Sequence, residues 1–454
     1  MAQSLISKYN IPGPRYTSYP TVPYWDETGI NLDTWKLSVK KSFNESNSKE
    51  GISLYVHLPF CESLCTFCGC NKRITKNHDV EDPYIKAVLK EWDLYLDLLG
   101  ETPIISEIHF GGGTPTFFSP DSLRKLILGL TSKGIIPKNH SYSFEGHPNN
   151  TKIEHLKVMN ELGFNRASYG VQDFDPKVQK TINRIQPFEV VAEVTENTRA
   201  AGYTSTSFDL VYGLPHQTKG SIIDTINKVR ELKPDRIAYY SYAHVPWIKG
   251  NGQRGYDEAD LPKDDEKREL YEIGYQLLLD SGYKEIGMDH FALETDNMYV
   301  AMKNKELHRN FMGYSASKTQ LMIGLGVSSI SDSWYAFAQN VKTVEEYYKI
   351  LEEDQIPIFR GHHLTEEDLV IRKHILEIMC HYETSWANEE SYHKIIDECV
   401  PRLAELVEDG FLELGNHSLK VTEAGKPFIR NICMAFDVRL IRNKPQTQLF
   451  SMTI

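Results

Sequence analysis

Four of the seven cysteines stand close together: Cys61, Cys65 and Cys68 in a C-x3-C-x2-C spacing, with Cys70 two residues further on. Thiols at this density serve disulfide, zinc or iron-sulfur chemistry. Near neighbours on one short loop are poorly placed to pair with each other, and the opening MAQSLISKYN lacks the apolar core of a secretory signal, so disulfides are disfavoured. Structural zinc usually takes two separated ligand pairs, whereas Cys380, Cys399 and Cys433 stand singly. Three thiolates on one loop suit three corners of an iron-sulfur cube, with one iron left without a protein ligand. On spacing alone, zinc and a loop of free thiols remain alternatives.

An apolar run, Ile52, Leu54, Val56 and Leu58, brings the chain to this loop as a strand, and the pattern it starts is repeated. Further strands are expected at Glu107 to Phe110, Tyr142 to Glu145, Arg166 to Val171, Ser207 to Tyr212 and Arg236 to Tyr242. Helices are expected between them, at Asp82 to Leu99, Pro120 to Leu130, Thr151 to Leu162, Phe188 to Ala201 and Ser221 to Leu232. Gly100, Gly134, Gly163 and Gly202 stand where left-handed residues close helices. Ser119-Pro120-Asp121 reads as a cap, a first-turn proline and an early acid. Repeated β-α units predict a parallel sheet with right-handed crossovers. Six units precede Ala243, and a polar loop, Lys249 to Asp265, then interrupts them. The expectation is an α/β fold, a partial (three-quarter) β/α barrel of about six parallel strands. It has an N-terminal arm over 1–50, the barrel and its extension over 51–363, and a mostly helical, winged-helix-like C-terminal domain over 364–454.

Parallel-strand enzymes keep their chemistry at the carboxyl ends of the strands. There stand Gly111-Gly112-Gly113-Thr114, Glu145, Gln172 and Asp209, with Arg184 following on a connecting segment. Each alone could be a buried polar residue satisfied by backbone, but their recurrence at successive strand ends points to a site. Arg15, Lys72 and Arg73 are candidates for binding substrate carboxylates. Of the 454 residues, 41% are hydrophobic and 25% charged, and the net charge is -12. That balance argues against broad binding to nucleic acid or anionic membranes. No apolar run reaches the ~20 residues of a membrane span, so a reducing cytoplasm is expected.

The cysteine stretch, YVHLPFCESLCTFCGCNK, resembles the signature of radical S-adenosylmethionine (SAM) enzymes. PRYTSYPT, IHFGGGTPT, FNRASYGVQDFD, NRIQ, FDLVYGLP, YSYAHVP, MDHFAL, GLGVSSIS and RNICMAFD carry the resemblance further. From Pro14 to about Asp437 the chain resembles the oxygen-independent coproporphyrinogen III oxidase family. The resemblance implies that Cys61, Cys65 and Cys68 hold a 4Fe-4S cluster while Cys70 does not. It implies that the open iron chelates SAM, which is cleaved reductively to methionine and a 5'-deoxyadenosyl radical. Tyr55, Phe67, Gly112, Gly113, Thr114, Glu145, Gln172, Arg184, Asp209, Ala243, Phe311 and Ile330 match positions around SAM, and a second SAM is implied beside the first. Tyr55, Glu145 and His290 are the implied catalytic candidates.

The implied reaction turns two propionates of coproporphyrinogen III into vinyls, giving protoporphyrinogen IX in haem biosynthesis. An unidentified electron donor and acceptor serve it, with no nucleic acid or membrane partner, in a monomer. A haem chaperone, or another radical SAM enzyme acting on a tetrapyrrole, is the alternative. The sequence departs from the family pattern at three places, all bearing on the second SAM. His147 precedes Pro148 where an acid is expected, Met312 stands where glutamine is usual, and GYSAS at Gly313 to Ser317 replaces a more threonine-rich stretch.

Overall fold

A computed structural model describes residues 5–25, 30–245, 253–387, 393–445 and 447–453. At its centre is strand β1, Ile52–Leu58, buried at every position. A strand so apolar on both faces belongs inside a parallel sheet covered on each side. The expected strands follow as β2 (Ile105–Gly112), β3 (Ser141–Gly146), β4 (Phe164–Gln172), β5 (Ser205–Tyr212) and β6 (Arg236–Ser241). Each pairs in parallel with the one before it.

Six further strands complete the sheet: β7 (Lys284–Gly287), β8 (His290–Ala292), β9 (Leu321–Leu325), β10 (Ile330–Asp332), β11 (Ala336–Asn340) and β12 (Ile358–His363). The spatial order is β12-β11-β10-β9-β1-β2-β3-β4-β5-β6-β8-β7. Strand β9 is parallel to β1 and makes a seventh parallel strand where about six were expected. The sheet is open: β7 and β12 lie at its two edges.

The five expected helices fall within two residues of their expected bounds, and a short helix, Pro176–Thr181, that was not expected follows β4. Gly100 closes the Glu81–Leu99 helix in the left-handed region, with its N–H on Leu96 O. Gly134 departs from the expectation, because the Pro120–Thr131 helix ends instead on Ser132. Gly134 is small for packing: a Cβ there would lie 2.5 Å from Ile105 Cδ1. The polar stretch of Lys249 to Asp265 lies partly outside the described residues, and its end already belongs to the Asp264–Asp280 helix.

The first fifty residues are not one arm. Leu32–Ser46 is a helix whose Trp35, Val39 and Phe43 are buried in the core of the large sheet. The preceding segment crosses to a second core, where Tyr9, Tyr16 and Tyr19 pack with Ile371, Ile375, Ile432 and Phe436. Tyr16 donates to Asp437 Oδ2 at 3.1 Å, and Gly13, Pro14, Tyr16, Tyr19 and Pro20 of the GPRYTSYP segment are buried. The C-terminal part runs from the Glu366–His381 helix through short helical turns to the hairpin Leu412–Gly415 and Ser418–Val421. Glu383–Ser385 adds a third strand to that hairpin, which the sequence reading did not include. Among the described residues no helix is long and apolar enough to cross a membrane.

One buried carboxylate ties the sheet to its helices. Glu91, fully buried, accepts from Gly326 N–H at 2.8 Å, Asn340 Nδ2 at 2.6 Å and Tyr347 Oη at 2.5 Å. Burial pushes its pKa up to about 7, against those three hydrogen bonds. The folded chain therefore binds a proton that the unfolded chain has lost, and stability falls as pH rises from about 4.5 to 7. E91Q is expected to flatten the thermal melting profile across that window. E91L leaves buried donors unpaired and is expected to cost about 2–4 kcal/mol.

Candidate active site

The loop that carries the cysteines is stitched at both ends. Beyond β1, Phe60–Cys61 pairs in parallel with Arg73–Ile74, and Thr75 N–H donates to Cys61 O at 2.9 Å. Thr66 N–H and Oγ1 donate to Ile182 O and Thr181 O, both at 2.9 Å, and Asn183 Nδ2 to Leu64 O at 2.7 Å. These bonds bring Arg184 to the loop. Lys72 Nζ donates to the Cys68 and Cys70 carbonyls at 3.2 and 3.3 Å, so this lysine clasps the loop. Arg73 pairs with Glu345 on the surface. Lys72 also lines the cavity of the cysteines, whereas Arg73 is held by Glu345. Arg15 pairs with Asp289 beside a separate cavity.

Cys61, Cys65 and Cys68 line one cavity with Phe67, Gly112, Gly113, Thr114, His147 and Arg184, and Cys70 does not. Thr114 Oγ1 donates to Cys61 Sγ at 3.3 Å, and Arg184 Nη1 to Cys65 Sγ at 3.5 Å. Burial raises the Cys61 thiol to about 11, against the Thr114 bond. A hydrogen bond from the Cys70 thiol lowers Cys68 and keeps the proton on Cys70, with Lys72 favouring the Cys68 thiolate. Among the described residues no three His, Cys, Asp or Glu donors converge on a single ion, the arrangement zinc needs. A cube spreads its thiolates over separate irons, and soft donors on one loop fit it.

Glycine is required beside this loop for a steric reason. Gly112 has φ +107°, and a Cβ there would stand 2.6 Å from the His57 ring. His57 is fixed by Nε2 on Asn71 O at 2.9 Å and Nδ1 on Tyr55 Oη at 3.1 Å. G112A is therefore expected to push the His57 ring and misplace the neighbouring thiols. Iron uptake, read from visible absorbance after reconstitution, is expected to fall by about 10-fold with little change in far-UV dichroism.

The other sequence-derived residues gather around the same strand ends. Tyr55 on β1 stacks on His109, with centroids 6.0 Å apart, and meets Phe311 edge-on at 4.8 Å. Glu145 Oε2 accepts from Gly112 N–H and Oε1 from His109 Nε2, each at 3.3 Å. Burial raises Glu145, but His109 and Gly112 outweigh it and the net direction is down. Asp209 goes the other way, to about 7, through burial and the neighbouring Glu145 charge, against Arg184 and Ser168. Arg184 grips Gly170 O with Nε at 3.1 Å and Nη2 at 2.7 Å. Gln172, with φ +67°, ends β4 beside it, near enough that a Cβ on Gly170 would meet both side chains.

Three positions lie further out. Ala243 follows β6, its carbonyl accepting from Gln253 Nε2 at 2.7 Å. Ile330 comes beside Gly324, the partner of Tyr55, but its side chain packs against the cluster of Trp25 and Phe337. His290 on β8 bonds Met288 O through Nδ1 at 2.8 Å and Tyr240 Oη through Nε2 at 3.3 Å, and burial lowers it to about 4. Met312, beside Phe311, turns its backbone N–H onto Asn310 Oδ1 at 3.0 Å. His147 lines the cysteine cavity as a neutral ring, its Nδ1 accepting from Asn149 N–H at 3.2 Å.

The sequence reading missed two partners. His109 holds Glu145 and stacks on Tyr55, and its place two residues before Gly111 on a strand signals a shared face. Gln186, inside NRIQ, accepts from Arg184 Nε at 3.2 Å and donates to Gly170 O at 2.9 Å.

Residues 55–229 match the Radical SAM superfamily. The oxygen-independent coproporphyrinogen III oxidase of Synechocystis sp. is 37% identical over 99% of this chain and 97% of its own. The chain belongs to the oxygen-independent coproporphyrinogen III oxidase family. A family member from Escherichia coli is 37% identical over 99% of this chain and 98% of its own. A solved E. coli coproporphyrinogen III oxidase, described as a radical SAM enzyme, matches with TM-score 0.88 and 36% identity, covering 94% of this chain and 98% of that one. The oxidase family's cofactors are a 4Fe-4S cluster and SAM, and the thiol-lined cavity has the donor set for them.

Proposed function

We propose that this chain converts two propionates of coproporphyrinogen III to vinyls without oxygen, giving protoporphyrinogen IX. The observation that carries the reading is the convergence of Cys61, Cys65 and Cys68 on one cavity beside Gly112–Thr114 and Arg184, in a chain that matches such oxidases end to end. When bound, the cluster would supply the electron for cleaving SAM, and with it the radical chemistry that removes a hydrogen from the propionate β-carbon, the carbon attached to the ring. Loss of carbon dioxide and one electron to an acceptor then leaves each double bond.

The protein's own residues position and hold. Cys61, Cys65 and Cys68 are assigned to the cluster. Arg184, with its fork braced on Gly170 O, suits a carboxylate; Glu145, ionised and half exposed, suits an ammonium or ribose hydroxyls. Asp209 and Gln172 offer further acceptors at the strand ends, and Phe67 covers an apolar face. Tyr55 and Phe311 form one aromatic wall, with Ile330 assigned to the second SAM through its backbone rather than its side chain. Ala243 marks the far rim. His290, neutral and bonded on both nitrogens, orients substrate rather than carrying charge. The same reading takes a cytoplasmic monomer with a separate electron donor and acceptor, and no nucleic acid or membrane partner.

The test is anaerobic turnover of the reconstituted protein with coproporphyrinogen III, SAM and a strong reductant. Vinyl products, read as protoporphyrin after oxidation, are expected together with methionine and 5'-deoxyadenosine. SAM cleavage without vinyl formation would move the substrate elsewhere.

A further inference from the structure

A second cavity, of about 530 Å³, opens at the carboxyl ends of β5 and β6, where Tyr212 and Ser241 line it. The cysteine loop and the glycine loop leave the same end of the sheet, after β1 and β2. Its roof comes from the N-terminal segment through Arg15 and from the C-terminal part through Arg430. Lys267, Arg268 and Lys426 on one side and Asp265, Glu285 and Asp289 on the other complete the charged lining, which leaves cations in excess. The size falls within the range of about 300–1,000 Å³ usual for small-molecule sites.

Arg430 is the unusual group. It is 5% exposed, yet among the described residues it makes no ion pair. Nε donates to Pro14 O at 2.9 Å, Nη1 to Met452 O at 2.8 Å, and Nη2 to Gly13 O and to Ser451 O. Four of its five N–H groups are thus spent on neutral carbonyls, leaving a buried positive charge and one donor. Burial and the adjacent Arg15 push Arg430 down to about 10, so it stays charged at neutral pH. Arg15 lies over the Tyr240 ring at 5.8 Å and pairs with Asp289, which offsets one charge and leaves the other. Lys267 adds a further cation, its Nζ on Tyr242 O at 3.0 Å. A cavity with surplus buried positive charge suits an anion with an organic body, since an uncompensated buried charge is costly.

We propose that this cavity seats a propionate carboxylate of the tetrapyrrole remote from the reacting carbon, with Arg430 and Arg15 as its anion-binding groups. The inference rests on the substrate class proposed above and adds the residues that recognise it. Arg430 also staples Gly13 and Pro14 to the C-terminal part, so carboxylate capture and the placement of the N-terminal segment are joined in one side chain.

The test compares binding of coproporphyrin III, the fluorescent oxidised relative of the substrate, with binding of its tetramethyl ester, on the reconstituted full chain. Wild-type protein is expected to prefer the free acid. R430Q is expected to weaken the acid by about 10- to 100-fold and leave the ester unchanged, since a hydrogen bond to a charged group is what is removed. In turnover it raises KM for coproporphyrinogen with kcat within about twofold, and R430K recovers part of the loss. If melting shows that R430Q does not fold, R15Q carries the test, because it leaves the four Arg430 bonds in place; the expected weakening is about 10-fold. Equal acid and ester binding in folded R430Q or R15Q and wild type overturns the inference. A wild-type enzyme that makes vinyls while the variant's Kd and KM are unchanged sinks this site alone. Absence of vinyls from wild type sinks the substrate reading instead, and the acid-versus-ester comparison still reads the cavity.

Discussion

Replacing Cys65 with serine is expected to leave a folded chain without a complete cluster and without turnover. Iron after reconstitution should fall from about four per chain to a small remainder, because a serine hydroxyl is a harder and far less acidic donor than a thiol. Product formation should drop by about 1,000-fold or more. The melting temperature of the metal-free chain should move little, since the loop is held by backbone bonds from Thr66 and by Asn183 and Lys72, none of which uses Cys65 Sγ. Cys433 provides the contrast: buried in the second core, its serine variant should lose stability while keeping iron. Iron content together with thermal melting checks both arms, and a C65S protein that retained full iron and activity would refute the ligand assignment.

Arg184 carries the second large effect. Its guanidinium spans Gly170 O and Cys65 Sγ, so it faces the cysteine cavity, where the proposed function seats cluster and SAM, with a fixed fork. R184M is expected to weaken SAM by about 10- to 100-fold, the worth of a charge-assisted pair, while iron content is retained. R184K should recover little, because an ammonium cannot reproduce the forked grip. A pH signature accompanies the loss. Asp209 titrates near 7, pushed up by burial and Glu145 and held down by Arg184. Its charged form is present above pH 7 and lost as pH falls through 7, so SAM affinity should decline on acidification. In R184M that midpoint should move to higher pH. Equilibrium SAM binding from pH 6 to 9 reads both effects, and an unchanged midpoint would remove Arg184 from the Asp209 field.

The parts legible in the sequence were those whose signals are local. Strands β1 to β6 each sit within one β-α repeat, and glycine or serine marks most helix ends. The seventh parallel strand, Leu321–Leu325, returns to pair with β1 only after the antiparallel β7 and β8 and carries no repeat to announce it. The Leu32–Ser46 helix was readable from Trp35, Val39 and Phe43 at spacing four, but polar residues dominate its remaining faces and hid it beside the conspicuous GPRYTSYP segment. The place of that segment was not legible at all, because the contact of Tyr16 with Asp437 joins opposite ends of the chain. At the site, cysteine spacing identified the three thiols that share the cavity. The roles of His109 and Gln186 depend on which neighbours stand across adjacent strands, which spacing does not encode. Ile330 shows the limit in the other direction: a matching position whose side chain turns to Trp25 and Phe337.

The most direct measurement follows a hydrogen atom. Coproporphyrinogen III deuterated at the β-carbons of its propionates is incubated anaerobically with the reconstituted protein, SAM and reductant, and the 5'-deoxyadenosine is analysed by mass. The account predicts one deuterium in 5'-deoxyadenosine for each vinyl formed. Vinyl formation accompanied by unlabelled 5'-deoxyadenosine would contradict it.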